Sequence, residues 1–486
     1  MLRPRRLCAV TVIALAMAMI SSAMAAPAAN GVSKIAPRVM NETANGGMTE
    51  AVVVLSEQAD LSAAAALHTK LEKGRYVVDT LRAVANRTQG PIKALLQQRG
   101  IAYQSFYIVN MIKITGDRNL MQELAARPDV ERIDANPHVR TLLPVQTGVD
   151  NKAGNPTGIE WNISRVNAPQ IWSHGFKGEG RVVGDADTGV QWDHPALKSH
   201  YRGWDGTNVD HDYNWHDASP QHSPTPVDPN FHGTFTASET VGDDGHGNQI
   251  GVAPGAKYIA CRNMDANGTG SPTSYTECFQ WMMAPWPIGG DPDQGDPTLA
   301  ADSINNSWIC PPSEGCSANT LLAVVNSVRA AGIFPAVAAS NAGPSCSTIT
   351  DPPSFYDSSV TVGSTNSANV ISSFSSRGPV TADGSNRTKP DMSAPGENIR
   401  GAVPGNTYQS GWSGTSMATP HVAGGIALLW QARPSLIGDI DATELALTST
   451  AHHLKSSQNC GGNGQQIPNN VYGWGIINLL AAAKAH

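Results

Sequence analysis

Short apolar runs alternate with longer segments of helical periodicity over the last two thirds of the 486-residue chain. Such runs, bounded by glycine, proline or asparagine, are typical of strands buried in a sheet. Five of them predict strands, at Val182–Asp187, Lys257–Arg262, 301–307, 333–339 and 359–364. The apolar segment 414–430 predicts a buried helix. Because strands that alternate with helices usually form parallel sheets, we predict an α/β fold of three layers, a mostly parallel sheet with helices on both faces.

The pattern in the first third of the chain is different. It predicts a strand, a long helical stretch, a strand, a helix and a last strand, at 51–55, 63–98, 106–114, 119–126 and 130–133. This order predicts a small α+β domain over 26–143. Residues 144–157 are polar and contain glycine and proline, which predicts a linker with a processing site. The larger α/β domain is then expected at 158–486.

Residues 1–25 have the features of a secretory signal peptide. Arg3, Arg5 and Arg6 precede an apolar run from Leu7 to Ile20, and small residues follow at the expected cleavage site. We therefore expect a secreted protein, extracellular or periplasmic, with no membrane segment in its mature form. The formal net charge of −7 provides no basic patch, so nucleic acid is not an expected partner.

Three residues carry candidate chemistry. Ser416 stands in Gly-Thr-Ser-Met-Ala-Thr-Pro-His at the start of the predicted helix, where the helix dipole is positive and the neighbours are small. Asp187 ends a predicted strand, at the sheet edge where α/β proteins build their sites, and His232 opens a His-Gly-Thr turn. Taken singly, a helix-capping serine and a solvated turn aspartate are the structural alternatives. Together the three residues predict a Ser-His-Asp triad.

The motifs Asp-Thr-Gly, His-Gly-Thr and Gly-Thr-Ser-Met-Ala-Thr-Pro, in this order, resemble those of the subtilisin-like serine proteases, the subtilases. The segments 251–262 and 304–308 are most similar to the bacillopeptidase F-like branch. The resemblance implies a subtilisin-like fold and a serine endopeptidase in which Ser416 attacks, His232 transfers the proton and Asp187 orients His232. It also implies that the Asn341 amide and the Ser416 backbone N–H stabilise the oxyanion; an αL turn residue is the alternative for Asn341.

The small domain at 26–143 is similar to the inhibitory propeptides of subtilases, most clearly at 125–133. The resemblance therefore implies a zymogen that processes itself and is inhibited by its own propeptide. Protein or peptide substrates and a monomeric state are expected. The chemistry needs no cofactor, although the family often binds structural calcium.

By the same resemblance, one group of residues lines the specificity pocket: Ser307, Trp308, Ile309, Ser340 and Thr350. Ile309, Ser340 and Thr350 stand where the family pattern has glycine, so we predict a narrow pocket that prefers small or medium side chains. Phe235 and Ser238 replace the second histidine and the glycine of the usual His-Gly-Thr-His-Val-Ala-Gly. This departure motivates an alternative, an inactive or narrowly self-processing binding protein with the subtilase fold.

Six of the seven cysteines follow the signal peptide, and an even number in an exported protein favours disulfides. Six cysteines allow many pairings. We favour Cys261 with Cys278 and Cys310 with Cys316, which leaves Cys346 for Cys460. No Cys-x-x-Cys pair occurs that would predict a zinc site.

Two further acidic features are open at the level of sequence. Asp185 lies on the same strand face as Asp187, either as a second acid that raises the proton affinity of the pair or as a paired or partly solvated strand residue. We favour the second interpretation. The aspartate-rich segments 204–222 and 290–296 could supply calcium ligands, but neither has an EF-hand spacing, and solvated loops are the better prediction.

Overall fold

The computed structural model describes residues 34–141, 144–146 and 158–485. The predicted signal peptide and most of the predicted linker lie outside these residues. Within the described part of the chain, no helix is long and apolar enough to cross a membrane.

The N-terminal domain is built on an antiparallel sheet of four strands. Strand β1 lies inside it, in the order β2-β3-β1-β4. The elements are α1 (Pro37–Glu42), β1 (Thr49–Leu55), α2 (Lys70–Thr88), α3 (Gly90–Gln98), β2 (Tyr103–Phe106), β3 (Met111–Gly116), α4 (Arg118–Ala125) and β4 (Val130–Ala135). The structure thus confirms the predicted α+β class of this domain. The sheet has two apolar faces, because alternate residues of β1 face the domain's own core while Val52 and Val54 pack with α2 and the larger domain.

Two predicted elements of this domain differ from the structure. The single strand predicted at 106–114 is wrong, because a turn at 107–110 divides it into β2 and β3. The long helix predicted at 63–98 is also wrong in extent, since it is divided between α2 and α3 at Gly90 and Pro91. Proline has no N–H for the helical hydrogen bond and is compatible only with a first turn, so a new helix begins there.

The larger domain contains a sheet of seven parallel strands in the order β16-β15-β14-β13-β8-β11-β9. The strands from here on are β5 (Val139–Arg140), β6 (Val145–Gln146), β7 (Gly158–Ile159), β8 (Val182–Asp187), β9 (Trp215–Asp217), β10 (Asn248–Gln249), β11 (Lys257–Arg262), β12 (Thr269–Gly270), β13 (Ser303–Asn306), β14 (Phe334–Ala338), β15 (Val360–Thr365), β16 (Met392–Pro395), β17 (Ile399–Val403) and β18 (Thr407–Ser413). The helices are α5 (Trp161–Arg165), α6 (Ala168–Trp172), α7 (His232–Val241), α8 (Pro272–Met283), α9 (Leu322–Ala330), α10 (Thr415–Ala432), α11 (Ile440–Ser449) and α12 (Leu479–Lys484).

Helices cover both faces of this sheet, which confirms the predicted three layers. In β11, Tyr258 and Ala260 point to the core shared with α7 and α10, whereas Ile259 and Cys261 point to the core shared with α8 and α9. All five strands predicted in this domain are present. The edge strand β9 was not predicted, because it is short and lies within the aspartate-rich segment 204–222.

Three disulfides join the cysteines in the predicted pairs, Cys261 with Cys278, Cys310 with Cys316 and Cys346 with Cys460. The first fixes β11 to α8 inside the core. The second closes a short loop that begins a few residues after β13, and the third joins two segments far apart in the sequence.

Candidate active site

Asp187 and His232 meet because β8 ends where α7 begins. The Nδ1 atom of His232 lies 2.7 Å from Oδ1 of Asp187, and both side chains are fully buried. The backbone N–H of Thr188 also donates to Oδ1, at 2.7 Å. Gly233 permits the close approach of the two elements, since a Cβ at this position would lie 2.1 Å from the carbonyl oxygen of Gly189.

The environment of His232 favours a basic imidazole. Burial alone would lower its pKa, but the charge of Asp187 and the hydrogen bond to it outweigh burial, and the net pKa is raised. Because a carboxylate can only accept, Nδ1 carries the proton shared with Asp187. The Nε2 atom has no hydrogen-bond partner among the described residues, so it is available as a base.

Ser416 is the second residue of α10. Its Oγ donates to the carbonyl oxygen of Ser307 at 3.2 Å rather than to His232. The first turns of α7 and α10 adjoin, since Phe235 and Met417 belong to one apolar cluster. In this arrangement the Ser416 hydroxyl and Nε2 of His232 share no hydrogen bond, and the serine–histidine contact of a triad stays a prediction.

The side chain of Asn341 is fixed from one end. Its Oδ1 accepts from the backbone N–H of Thr415 at 2.9 Å and from the Thr415 hydroxyl at 3.0 Å. Because the amide is planar, these bonds direct Nδ2 away from Thr415 Oγ1, and Nδ2 lies 3.7 Å from where a Cβ on Gly414 would stand. This arrangement suits a donor beside the Ser416 backbone.

Most of the predicted pocket residues line one cavity of about 10 Å³, large enough for about one water. Its lining includes Ser307, Trp308, Ile309 and Ser340, together with Asn341 and Ser416. Ser340 has φ of +78°, a left-handed conformation that favours glycine, which fits its place in a glycine position of the family pattern.

Thr350 is not among the residues that line this cavity. Its hydroxyl donates to Oδ1 of Asp351 at 3.3 Å, and Ser340 donates to Oδ2 of the same carboxylate at 3.4 Å. Burial raises the pKa of Asp351. Sequence reasoning missed Asp351, because an aspartate before two prolines has the pattern of a turn.

A segment of the N-terminal domain lies across the site, and the sequence did not reveal it. Strand β5 pairs antiparallel with β12, and the Thr141 backbone N–H donates to the carbonyl oxygen of Gly268 at 2.9 Å. Thr141 also lines the cavity beside Ser416. On the other side of Ser416, β6 pairs antiparallel with β18, and Pro144 lies against Gly414. Thr141 and Pro144 therefore both lie close to the first turn of α10.

Two more carboxyl groups lie behind Asp187 on the face shared by β8 and α7. Asp185 accepts from the hydroxyl of Thr236 and, at 3.0 Å, from Nδ2 of Asn305. Neither oxygen of the fully buried Glu239 has a partner among the described residues. Burial raises the pKa of both groups well above the ordinary value, and the charge of Asp187 raises that of Asp185 further. Asp185 is thus a hydrogen-bonded strand residue that is buried and not solvated. The sequence analysis did not single out Glu239.

The unusual residues of α7 serve packing rather than the triad directly. Phe235 is fully buried with Ile399, Val403 and Met417, and its ring occupies the space over Gly401, where a Cβ would lie 2.9 Å away. Ser238 accepts from the backbone N–H of Ala402 at 2.9 Å and so joins α7 to β17.

Aspartates of the segment 204–222 accept hydrogen bonds from the backbone of their own turns. Oδ1 of Asp205 accepts from the backbone N–H groups of Thr207 and Asn208, and Asp210 caps the next turn in the same way. No group of three or more histidine, cysteine or acidic residues that could hold a metal occurs in the described part of the chain. These aspartates stabilise turns instead.

Comparison with known proteins identifies the family of this site. Residues 178–475 match the model of the subtilase family of peptidases. The chain belongs to the subtilase family. It is 37% identical over 456 residues to bacillopeptidase F of Bacillus subtilis (strain 168), a match covering 90% of this chain but 30% of that protein. Subtilisin E of the same strain is 29% identical over 429 residues, covering 87% of this chain and 94% of subtilisin E. Subtilisin of Bacillus pumilus is 32% identical over 329 residues, covering 67% of this chain and 99% of that protein.

These matches confirm the predicted resemblance, and the parallel sheet with its flanking helices is the subtilisin-like fold. By family, the chain is a serine-type peptidase whose chemistry requires no cofactor. The chain spans less than a third of bacillopeptidase F but nearly all of the subtilisins.

Proposed function

We propose that the protein is an endopeptidase that cleaves protein substrates through a covalent acyl-enzyme. The observation that carries this proposal is the buried hydrogen bond of 2.7 Å between Asp187 and His232, which leaves Nε2 of His232 without a hydrogen-bond partner among the described residues. Membership of the subtilase family supports the same assignment.

In the first half of the reaction, Ser416 Oγ bonds to the substrate carbonyl carbon while His232 Nε2 takes the hydroxyl proton. The carbonyl electrons move onto oxygen, which accepts hydrogen bonds from Asn341 Nδ2 and the Ser416 N–H. The carbon–nitrogen bond then breaks, and His232 gives its proton to the leaving amine. Asp187 stabilises the imidazolium throughout.

In the second half, a water molecule replaces the amine. His232 takes a proton from this water, the water oxygen bonds to the acyl carbon, and the ester bond to Ser416 Oγ breaks. The proton returns to Oγ. The product is a free carboxylic acid, and the enzyme is restored.

We further propose that the chain is a zymogen and that its own propeptide is the first substrate and an intramolecular inhibitor. The pairings of β5 with β12 and of β6 with β18, before and after residues 142–143 in the sequence, support this reading. The bond before Pro144 is a tertiary amide. We therefore assign the first cut to the Leu142–Leu143 bond, just before the linker at 144–157. Both leucines lie outside the described residues.

Release into an extracellular or periplasmic space belongs to the same proposal and rests on residues 1–25. The three disulfides support an oxidising location.

The test compares the wild type with Ser416→Ala. A fluorophosphonate should label the mature wild type at Ser416, and the mature chain should begin at Leu143. Ser416→Ala should remain an unlabelled precursor. Complete processing of purified Ser416→Ala without another protease would exclude self-cleavage, and an unlabelled wild type that cleaves no protein would favour the inactive binding protein.

A further inference from the structure

The backbone N–H of Arg140 has an unusual partner for a strand residue. In an extended chain, successive N–H groups point to opposite sides, so the N–H of Thr141 reaches β12 while that of Arg140 faces away from it. On that side it donates to Oε2 of Glu314 at 2.8 Å. A side-chain carboxylate thus stands where a neighbouring strand would supply a carbonyl oxygen.

Glu314 is held in place by its loop. The disulfide between Cys310 and Cys316 closes the loop directly after the pocket residue Ile309. The backbone N–H of Cys310 donates to the carbonyl oxygen of Pro352 at 2.7 Å, which fixes the base of the loop. Arg38 of the N-terminal domain also donates to the carbonyl oxygen of Glu314, a contact that the mature enzyme would lack.

We infer that Glu314 is a specificity-determining residue that accepts the backbone N–H of the third residue before the scissile bond. This inference rests on the proposed function, in which residues 139–141 pair with β12 as a substrate does and the bond after Leu142 is cut. A substrate whose third residue lacks an N–H, such as proline, leaves the carboxylate of Glu314 without its hydrogen bond. An acidic third residue places a second negative charge beside it.

The test uses nine-residue peptides with the sequence of residues 138–146 and the mature enzyme. One peptide is unmodified, one is N-methylated at the position of Arg140, and one is N-methylated at the position of Thr141. The enzymes are the wild type, Glu314→Ala and Ser313→Ala, the last changing an exposed neighbour in the same loop. Fluorophosphonate labelling of each variant checks that its catalytic site is intact.

N-methylation at Arg140 should lower kcat/KM of the wild type and of Ser313→Ala by about tenfold or more, mainly through KM, because the hydrogen bond exists in the bound ground state. Glu314→Ala should cleave this peptide and the unmodified one at similar rates. N-methylation at Thr141 should impair all three enzymes alike, since Gly268 is unchanged.

If N-methylation at Arg140 lowers kcat/KM equally in the wild type and in Glu314→Ala, or lowers it in neither, the role of Glu314 is overturned. If the labelled wild type cleaves other peptides but not the unmodified one after Leu142, the positions are miscounted and the inference fails alone. If the wild type is neither labelled nor active, the proposed function fails first.

Discussion

At the scale of single residues, the interior behind Asp187 and His232 is unusually acidic. Asp185 and Glu239 are fully buried, and no lysine or arginine among the described residues forms an ion pair with either. Isolated charges are costly in such a place, so burial favours the protonated form of both groups. The folded protein then holds protons that the unfolded chain has lost at neutral pH.

This difference makes stability depend on pH. Because the folded pKa of Asp185 and Glu239 is raised, the free energy of unfolding should fall as pH rises from the ordinary carboxyl range toward the folded pKa. Each group contributes a slope of about 1.4 kcal/mol per pH unit in that window. Urea unfolding in a Ser416→Ala background, which prevents autolysis, measures the slope. Glu239→Gln should make the slope shallower by about 1.4 kcal/mol per pH unit, which corresponds to one proton. Asp79→Asn, which changes an exposed residue, should leave the slope unchanged. An unchanged slope in Glu239→Gln would mean that this group is ionised in the folded state.

Ile309 belongs to the same scale, because it lines the cavity beside Ser416 where the family pattern has glycine. Forcing extra volume into a packed site costs about 1 to 3 kcal/mol, so a large aromatic side chain before the scissile bond should fit poorly. We expect the wild type to prefer alanine to phenylalanine at this position, and Ile309→Gly to reduce the preference. The ratio of kcat/KM for matched peptides measures it. A wild-type preference for phenylalanine that Ile309→Gly leaves unchanged would show that Ile309 does not line the specificity pocket.

At the scale of elements, the sequence predicts best where local pattern and tertiary role agree. Strands β8 and β11 are buried along all but their first residue, and their predicted limits match the structure. The hairpin at 107–110 was missed because its turn residues, Tyr107 to Asn110, are mostly apolar and buried against the larger domain. Tertiary packing there overrides the polar pattern that usually marks a turn.

The same reasoning applies to the site. Asp187, His232 and Ser416 could be proposed from the sequence because short motifs surround them, and their catalytic roles stay predictions. Glu314 and Asp351 could not, since their contacts depend on how separate loops approach each other. Glu239 was hidden for a similar reason, because a glutamate in a helix is usually exposed and only the packing of α7 on β8 buries it.

The disulfides also act at the scale of elements, and their effects should differ with loop length. Cys346 and Cys460 are separated by 114 residues, whereas Cys310 and Cys316 are separated by 6. Chain entropy predicts that replacing the first pair with alanine costs about 5 kcal/mol of unfolding free energy and replacing the second about 2 kcal/mol. Urea unfolding of the two double variants compares them. The intact denatured protein should have no free thiol outside residues 1–25. A larger loss for the short loop would contradict the entropic account.

At the scale of the whole molecule, the two domains are joined by more contacts than the pairing of β5 with β12. The Tyr107 and Ile108 backbone N–H groups both donate to Oε1 of Gln280, at 2.8 and 3.0 Å. Farther away, Lys70 of α2 forms an ion pair of 2.7 Å with Asp302, at the start of the central sheet. Both side chains of this pair are largely buried, so salt should screen it less than a surface pair. In the proposed zymogen, cleavage between the two domains would leave all these contacts intact.

Release of the N-terminal domain should therefore limit the onset of activity after the first cut. Lys70→Ala leaves Asp302 without its lysine, and we expect the cleaved domain to dissociate about tenfold faster, because loss of one partner of a buried pair acts mainly on dissociation. The measurement is the lag between appearance of the new N-terminus and peptidase activity. Arg75→Ala is the matched control, since Arg75 is an exposed residue of the same helix. A lag equally short in both variants would implicate the overall charge of α2. A lag unchanged in Lys70→Ala would show that the other contacts between the domains, such as those of Gln280 and Arg82, retain the N-terminal domain.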